Sequence, residues 1–237
     1  MSVQVTQKMS GKLLYWGSGS IPCWKPMLVL AEKDIKYESK QISFSEKGHK
    51  GPEVMTLNSR GQVPTFKDGD NVVCESTAIC MYLESVYPNQ GRQLIPSDPK
   101  AKAKVLQKAF EAAENMQAKV MLGVLYYYWR TKEEDRKEAE IKENKDKCKE
   151  ELSNWEKYLG ECGSDYLAGS DFSMADVFFF PYLGWCYRMS LNFDKVPNLK
   201  AYYERCKARP SVQATWPPHW NEGDAQPANM AHLKDLF

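Results

Sequence analysis

The sequence predicts a small α/β domain with the element order βαβ-ββα, followed by an all-helical domain. Strand-like and helix-like patterns alternate as far as residue 92, whereas from Asp98 the apolar periodicity is helical. The composition changes between Gln93 and Pro99. We therefore expect one domain over residues 11–92 and a second over residues 99–237, and a chain of 237 residues is long enough for both.

The first three elements are a strand, a helix and a second strand. Residues 13–16 predict a short buried strand, which the run Gly17-Ser18-Gly19-Ser20 ends. Pro22 suits the first turn of the helix that follows. Residues 35–42 predict the second strand.

A short helix, a hairpin and a longer helix complete the first domain. Residues 48–57 predict a loop with a short helix. Residues 63–67 and 72–74 predict two strands, and Asp68-Gly69 between them is a strong hairpin signal. Residues 75–87 predict a helix. Its inward face is expected to comprise Ala78, Ile79, Tyr82 and Leu83.

Two long helices are predicted in the second domain. The first keeps a helical period over Val105, Leu106, Ala109, Phe110, Ala113, Met116, Val120, Met121, Val124 and Leu125. The second includes the run 131–151, whose charges of both signs indicate a solvated face. Expected ion pairs join Glu133 to Lys137, Glu138 to Lys142, and Glu143 to Lys147. The opposite face comprises Ile141, Cys148, Leu152, Trp155 and Leu159.

Shorter helices follow. Ser173-Met174-Ala175-Asp176 fits a capping box with Asp in place of Glu or Gln, and we interpret it as a folding signal rather than a catalytic one. Residues 199–207 predict a further short helix, and the tail from Trp216 is expected to be irregular.

Composition excludes several functions. A formal net charge of +1 provides no field that would favour nucleic acid or an anionic membrane. No run approaches the roughly 18 apolar residues of a membrane span, and residues 1–10 lack the apolar region of a signal peptide. We expect a cytosolic protein of small-molecule chemistry with no nucleic-acid or membrane partner.

The sequence predicts no metal centre and no prosthetic group. The cysteines are odd in number, widely spread and without a C-x-x-C pair: Cys23, Cys74, Cys80, Cys148, Cys162, Cys186 and Cys206. This pattern favours neither a disulfide framework nor a zinc site. The three histidines, His49, His219 and His232, show no metal-ligand spacing.

Two neighbouring motifs suggest a site for a small peptide that carries a carboxylate. Gln62-Val63-Pro64 heads a predicted strand, and a cis Val63–Pro64 bond would turn an exposed backbone edge toward an extended ligand. An ordinary edge strand with a trans proline explains the motif equally. Glu75-Ser76 opens a helix, where N–H groups hold carboxylates and Glu75 could pair with an ammonium. A simple N-cap serine is the alternative.

Further candidates lie in two loops. The loop from Gly17 to Cys23 joins the first strand to the first helix, where α/β proteins bind ligands. Ser20, or its rival Ser18, would donate a hydroxyl to a bound thiolate. Alternatively, Cys23 in the first helical turn would be a nucleophile, or the loop is a glycine-rich turn with a buried cysteine. His49 and Lys50 offer donors for a second carboxylate, or form a plain surface turn.

These motifs occur in one order and spacing that resembles the cytosolic glutathione S-transferases. They are Ser20-Ile21-Pro22-Cys23, His49-Lys50-Gly51-Pro52-Glu53, Asn58 with Gly61-Gln62-Val63-Pro64, Glu75-Ser76-x-x-Ile79, and Ser173-Met174-Ala175-Asp176. The resemblance covers the chain from about Gly11 to Trp220. The first loop is similar to the serine-type classes. Together with Trp-Pro-Pro-x-Trp at residues 216–220, it most resembles the rho class of aquatic animals.

The resemblance implies a thioredoxin-like first domain and a role for each matching residue. Ser20 would hydrogen-bond the glutathione sulfur, Val63 would pair with the cysteinyl backbone, and Pro64 would be cis. Glu75 and Ser76 would hold the γ-glutamyl end, while His49, Lys50 and Gln62 would lie near the glycyl carboxylate. Tyr15 is expected to be structural. Glutathione is then a co-substrate, no other cofactor is needed, and a homodimer is expected.

The electrophile pocket is expected between the two domains. Tyr126, Tyr127, Tyr128 and Trp129 end the first long helix, and Trp185 and Met189 lie on a later one. Such side chains could line an apolar second-substrate site or pack in the core. The predicted activity is conjugation of the glutathione thiolate to small hydrophobic electrophiles, for detoxification. The alternatives are a Cys23-dependent thiol transferase or dehydroascorbate reductase, and a non-catalytic ligand-binding or structural relative.

Overall fold

The computed structural model describes residues 11–220 and 233–237. The chain forms two compact units, Met1–Arg92 and Gln93–Phe237. In the first unit the elements are β1 (Lys12–Gly17), α1 (Ile21–Glu32), β2 (Glu38–Ile42), α2 (Pro52–Leu57), β3 (Thr65–Asp68), β4 (Asn71–Cys74) and α3 (Ser76–Val86). This is the predicted βαβ-ββα order.

The four strands form one mixed sheet in the order β2-β1-β3-β4. β1 pairs parallel with β2, whereas β3 pairs antiparallel with both β1 and β4. The carboxyl ends of β1, β2 and β4 therefore meet the amino end of β3 at one end of the sheet, called here the site end. The register Tyr15↔Thr65↔Cys74 fixes this alignment.

The core of the first unit lies between the sheet and two helices. Leu14 and Phe66 are fully buried on the sheet, and α1 is buried almost throughout from Cys23 to Leu30. α3 packs beside α1. The hairpin between β3 and β4 turns at Gly69-Asp70, and Gly69 has φ +59°, a left-handed conformation that suits glycine.

The starts of two strands in the first unit differ from the sequence-based prediction. β2 begins at Glu38 rather than at residue 35. β3 begins at Thr65 rather than at residue 63, and it is an inner strand. The alternative of an ordinary edge strand with a trans proline is therefore wrong, because Gln62-Val63-Pro64 precedes an inner strand and the Val63–Pro64 bond is cis.

The inward face of α3 is rotated by one residue from the predicted face. Ile79 and Leu83 are buried as expected, together with Cys80 and Glu84. Ala78 is exposed and Tyr82 is half-buried. The difference has a polar cause, since the buried Lys33 Nζ lies 2.8 Å from Glu84 Oε2 and draws that carboxylate inward.

The second unit is helical. Its elements are α4 (Pro99–Glu111), a π-helical segment (Ala112–Tyr126), α5 (Tyr127–Arg130), α6 (Glu138–Cys162), α7 (Met174–Arg188), α8 (Pro197–Lys207) and α9 (Pro210–Thr215). The apolar period did not predict α9. Beyond Trp220, most of the tail predicted to be irregular lies outside the described residues.

The first long helix departs from the predicted 3.6-residue period. Its central 15 residues are π-helical, so buried positions recur every four or five residues, at Ala112, Met116, Val120, Met121, Val124 and Leu125. Phe110 is 44% exposed and Leu106 is half-buried on α4, and Ala113 is half-buried at the start of the π-helical segment, so these three lie outside the core stripe.

The charged face of α6 is solvated as predicted, but its ion pairs differ. Glu143 and Lys147 pair at 2.6 Å. Lys142 pairs instead with Asp146, and Lys137 with Glu140. Glu133 lies in a separate 3-10 turn and cannot use helical spacing. Cys148, Leu152 and Trp155 form the buried face, while Ile141 and Leu159 are half-buried.

α7 is the central helix of the second unit, buried from Met174 to Cys186. It starts with the predicted capping box of Ser173 and Asp176, and continues through Pro181. Asp176 is fully buried and accepts hydrogen bonds from the N–H groups of Leu167 and Ser173. It also accepts hydrogen bonds from the hydroxyls of Ser173 and Tyr202. No described helix is long and apolar enough to cross a membrane.

Candidate active site

The predicted glutathione-binding residues of the first unit all lie at the site end of the sheet. Ser18 and Ser20 follow β1, and His49 and Lys50 follow β2. Gln62, Val63 and Pro64 immediately precede β3, while Glu75 and Ser76 immediately follow β4. Four segments that are distant in sequence therefore meet at the site end because of the strand order.

Ser20 is the N-cap of α1. Its Oγ accepts a hydrogen bond from the N–H of Cys23 at 3.4 Å, and its own N–H donates to Gly17 O at 3.2 Å. The side chain therefore stands at a helix N-terminus, where the partial positive charge stabilises an anion. The hydroxyl is half-buried. This placement suits a donor to a thiolate.

Cys23 occupies a different environment from the one that a nucleophile needs. Its side chain is fully buried, and the N–H of Gly17 donates to its Sγ at 3.4 Å. Burial raises the pKa of the Cys23 thiol to about 11, although the hydrogen bonds from Ser20 and Gly17 lower it. The structure therefore favours the glycine-rich turn with a buried cysteine over the nucleophile, because burial is the largest effect on the pKa of this thiol and raises it.

The Gln62 segment is fixed by side chains beneath it. Asn58 Nδ2 donates to Gln62 O at 3.0 Å, and the buried Thr65 Oγ1 donates to the same oxygen at 2.9 Å. The Val63–Pro64 peptide bond is cis. Thr65 was not among the predicted site residues. The signal that could have indicated it is a hydroxyl at an inward strand position.

Glu75 and Ser76 do not form the simple N-cap that was the alternative. Glu75 is the N-cap of α3 and its side chain makes no capping hydrogen bond, whereas Ser76 is the first helical residue. Glu75 has φ +70°, a strained conformation for a residue with a side chain. Such strain clusters at ligand-binding positions. The exposed carboxylate is thus available beside the first N–H groups of the helix.

Lys50 and His49 form a second polar cluster at the site end. Lys50 Nζ donates to Arg60 O at 2.7 Å. Gly61, with φ +55°, gives its stem room, since a Cβ there would lie 2.7 Å from Lys50 Cδ. His49 is half-buried, and its Nδ1 has no hydrogen-bond partner in the described part of the chain.

Tyr15 is structural, as predicted from its place in the strand. It is 5% exposed, and its hydroxyl donates to Glu53 Oε2 at 3.1 Å. Burial and this hydrogen bond raise the pKa of Tyr15, so its phenol stays protonated at neutral pH. Around the site, and throughout residues 11–220 and 233–237, no three His, Cys, Asp or Glu side chains form a potential metal cluster.

The predicted electrophile-site aromatics divide by burial. Trp129 is 63% exposed, and Tyr126 and Tyr127 are half-buried. The rings of Tyr126 and Trp129 lie 6.0 Å apart. Trp185 is 5% exposed and packs edge-on against Trp220 at 5.2 Å, which is core packing within the second unit.

The fold defines a class before any relative is considered: a thioredoxin-like α/β unit followed by an all-helical unit. Family models of the glutathione S-transferase N-terminal and C-terminal domains match residues 10–85 and 103–210. The chain belongs to the glutathione S-transferase family.

Similar proteins come from animals and from a plant. Glutathione S-transferase A of the fish Pleuronectes platessa is 44% identical over 94% of this chain and 97% of its own length. A glutathione S-transferase from the Antarctic clam Laternula elliptica has a crystal structure similar to this chain. Its TM-score is 0.85 and its identity 48%, over 96% of this chain and 100% of the clam chain. Poplar glutathione transferase F1 matches with a TM-score of 0.74 and 27% identity, over 86% of this chain and 95% of its own.

Proposed function

We propose that this protein transfers glutathione to small hydrophobic electrophiles. One observation carries the proposal: the strand order brings Ser20, the Val63 backbone and Glu75 to one end of a single sheet. A tripeptide that bears a thiol, an ammonium and two carboxylates needs such a spread of complementary groups. Family membership and the relatives named as glutathione S-transferases support the same activity.

Each residue has a stated part in the proposed complex. The Ser20 hydroxyl donates to the glutathione sulfur. The Val63 backbone, next to the cis proline Pro64, pairs with the cysteinyl unit of glutathione. Glu75 holds the γ-glutamyl ammonium, and Ser76 with the first N–H groups of α3 holds its carboxylate. His49, Lys50 and Gln62 lie near the glycyl carboxylate. Ser18 is the rival donor to the sulfur.

The proposed reaction is a nucleophilic substitution or addition by sulfur. The glutathione thiol first loses its proton to solvent, and the Ser20 hydroxyl and the N-terminus of α1 stabilise the thiolate. The sulfur then forms a bond to the electrophilic carbon, and with an aryl halide the halide leaves with its electron pair. Holding both reactants close supplies a further part of the rate. No cofactor enters this step.

The second-substrate site is proposed to include Tyr126, Tyr127, Trp129 and Trp185. The exposed ring of Trp129 is consistent with direct contact to substrate. Trp185 is buried, so its part would be to pack behind the residues that line the site. Detoxification of hydrophobic electrophiles is the proposed physiological role. The rho class, a homodimeric state and a cytosolic location stay predictions. Light scattering at twice the chain mass would test the dimer.

A conjugation assay tests the activity itself. Purified protein, glutathione and a chromogenic aryl halide should give enzyme-dependent product, and Ser20→Ala should lose most of it. Ser170→Ala is a matched control, because it removes an exposed hydroxyl from the second unit. Glutathione binding without turnover across several electrophiles would instead favour the non-catalytic alternative.

A further inference from the structure

Phe44 is an aromatic side chain at the site end that the proposed mechanism does not use. It lies two residues beyond β2 and is 44% exposed. Its ring fills the space beside Gly17, the last residue of β1, where a side chain on Gly17 would overlap the ring edge of Phe44. The absence of a Cβ at Gly17 is therefore what admits the ring.

Gly17 is also the residue that anchors the Ser20 loop. Its carbonyl accepts the N–H of Ser20 at 3.2 Å, and its N–H donates to Cys23 Sγ at 3.4 Å. Phe44 thus contacts the backbone unit that fixes the sulfur-binding end of the proposed site. Any displacement of Gly17 would be transmitted to the Ser20 hydroxyl through these two bonds.

On its other side, Phe44 contacts His49. The two ring centroids lie 5.7 Å apart with the planes tilted by 54°. A tight turn joins the two residues, in which Lys47 N–H donates to Phe44 O at 3.1 Å and Gly48 N–H donates to Ser43 O at 2.8 Å. The unpartnered Nδ1 of His49 means that packing, rather than a protein hydrogen bond at that nitrogen, orients the imidazole.

We propose that Phe44 is a positioning residue of the glutathione site, one that holds the His49 loop against the Ser20 loop by packing between His49 and Gly17. The inference rests on the proposed function and deepens it. His49 and Ser20 are assigned to the carboxylate and sulfur ends of glutathione, so their spacing has to match the ligand. The contacts of the Phe44 ring with Gly17 and His49 fix that spacing.

Two variants remove the contact in different ways. Phe44→Ala deletes the ring. Gly17→Ala keeps the phenyl ring but moves it away from β1. The new Cβ would overlap the outer ring atoms of Phe44, which are the far end of an exposed side chain. Gly17 ends a regular strand, so the backbone accepts alanine. Phe44→Leu keeps an apolar side chain, and Val86→Ala is the matched control at the far end of α3.

The experiment measures glutathione binding by calorimetry, KM for each substrate, and the pKa of the bound thiol. Phe44→Ala and Gly17→Ala should each raise Kd and KM for glutathione by roughly tenfold while KM for the electrophile stays near wild type. Phe44→Leu should recover part of the loss. The double variant should be no worse than either single variant, since both remove the same contact.

The outcomes distinguish a failure of this inference from a failure of the proposed function. Wild-type binding of glutathione together with unchanged Kd in Phe44→Ala and Gly17→Ala overturns this inference alone. An equal loss in Val86→Ala overturns it as well, since the effect would then be general. Wild-type protein that binds no glutathione overturns the proposed function and this inference with it.

Discussion

The Oγ of Ser20 accepts a hydrogen bond from the N–H of Cys23, and the two side chains have opposite surroundings. Ser20 stands half-buried at the N-terminus of α1, while Cys23 three residues later is fully buried. The first turn of α1 thus leaves the Ser20 hydroxyl accessible to a ligand, whereas the Cys23 thiol is inaccessible. This relationship favours the chemistry proposed for Ser20 over a nucleophilic Cys23.

Cys23→Ala should therefore retain most of the conjugating activity. With its pKa raised to about 11, the thiol holds its proton at neutral pH and has no access to substrate. The variant should lose about 1 kcal/mol of stability, because the Gly17 N–H loses its buried acceptor. Steady-state kinetics and urea unfolding measure both effects. An inactive Cys23→Ala beside an active Ser20→Ala would support the thiol-transferase alternative.

Glu75→Gln should weaken glutathione binding while leaving the fold intact. The exposed carboxylate makes no capping hydrogen bond, so its loss costs α3 little. Its proposed bond to the ligand ammonium is charge-assisted, and losing it should raise KM for glutathione by roughly tenfold or more. Asp70→Asn, at the exposed hairpin turn, is the control. Equal KM values for wild type and Glu75→Gln would remove Glu75 from its assigned role.

Asp176→Ala should damage folding rather than chemistry. The carboxylate is fully buried and accepts four hydrogen bonds. In the variant, all four donor groups would lose their acceptor. A loss of at least ~3 kcal/mol is expected from several unsatisfied buried donors. Glu150→Ala, which removes an exposed carboxylate from α6, should change stability little. Wild-type stability with reduced kcat in Asp176→Ala would contradict the folding role.

Lys25→Met should stabilise the protein at neutral pH. Lys25 is 2% exposed, and burial lowers its pKa to about 8, beside the buried thiol of Cys80. Between pH 8 and about 10.5, the unfolded chain binds a proton that the folded protein has released, so wild-type stability gains from rising pH. The variant lacks this gain.

The expected advantage of Lys25→Met is about 2 kcal/mol at pH 7 and shrinks toward pH 10.5. Chemical unfolding at several pH values measures it. Lys36→Met serves as control, because Lys36 is 83% exposed. A difference between wild type and Lys25→Met that stays constant with pH would show that burial does not shift this lysine.

Sequence patterns predicted the element order well because it depends on local signals. The Asp68-Gly69 turn, the loop after β1 and the capping box at Ser173 each have a short-range physical cause. The inner position of β3 was missed, since strand order depends on long-range pairing that no local pattern encodes. The π-helical stretch was missed because apolar residues four positions apart, such as Met116, Val120 and Val124, are compatible with an α-helical period as well.

Within the site, the residues of the matching motifs lie in segments that flank the strands at the site end, and their roles stay predictions. Phe44 was not among the predicted residues. Phe44 lies in a polar loop with no apolar periodicity. Only the structure shows that its ring occupies the space beside Gly17. The sequence left Cys23 open between a nucleophile and a buried cysteine, because its position in the first helical turn favours a thiolate while the surrounding core opposes it.

The central claim is that the Ser20 hydroxyl stabilises the glutathione thiolate. The most direct measurement is titration of bound glutathione by thiolate absorbance in wild type, Ser20→Ala and Ser18→Ala. Wild type should lower the thiol pKa by roughly two units from its usual value near 8.5. Ser20→Ala should return it close to that value, while Ser18→Ala resembles wild type. A thiol pKa that is the same in Ser20→Ala and wild type would contradict the account.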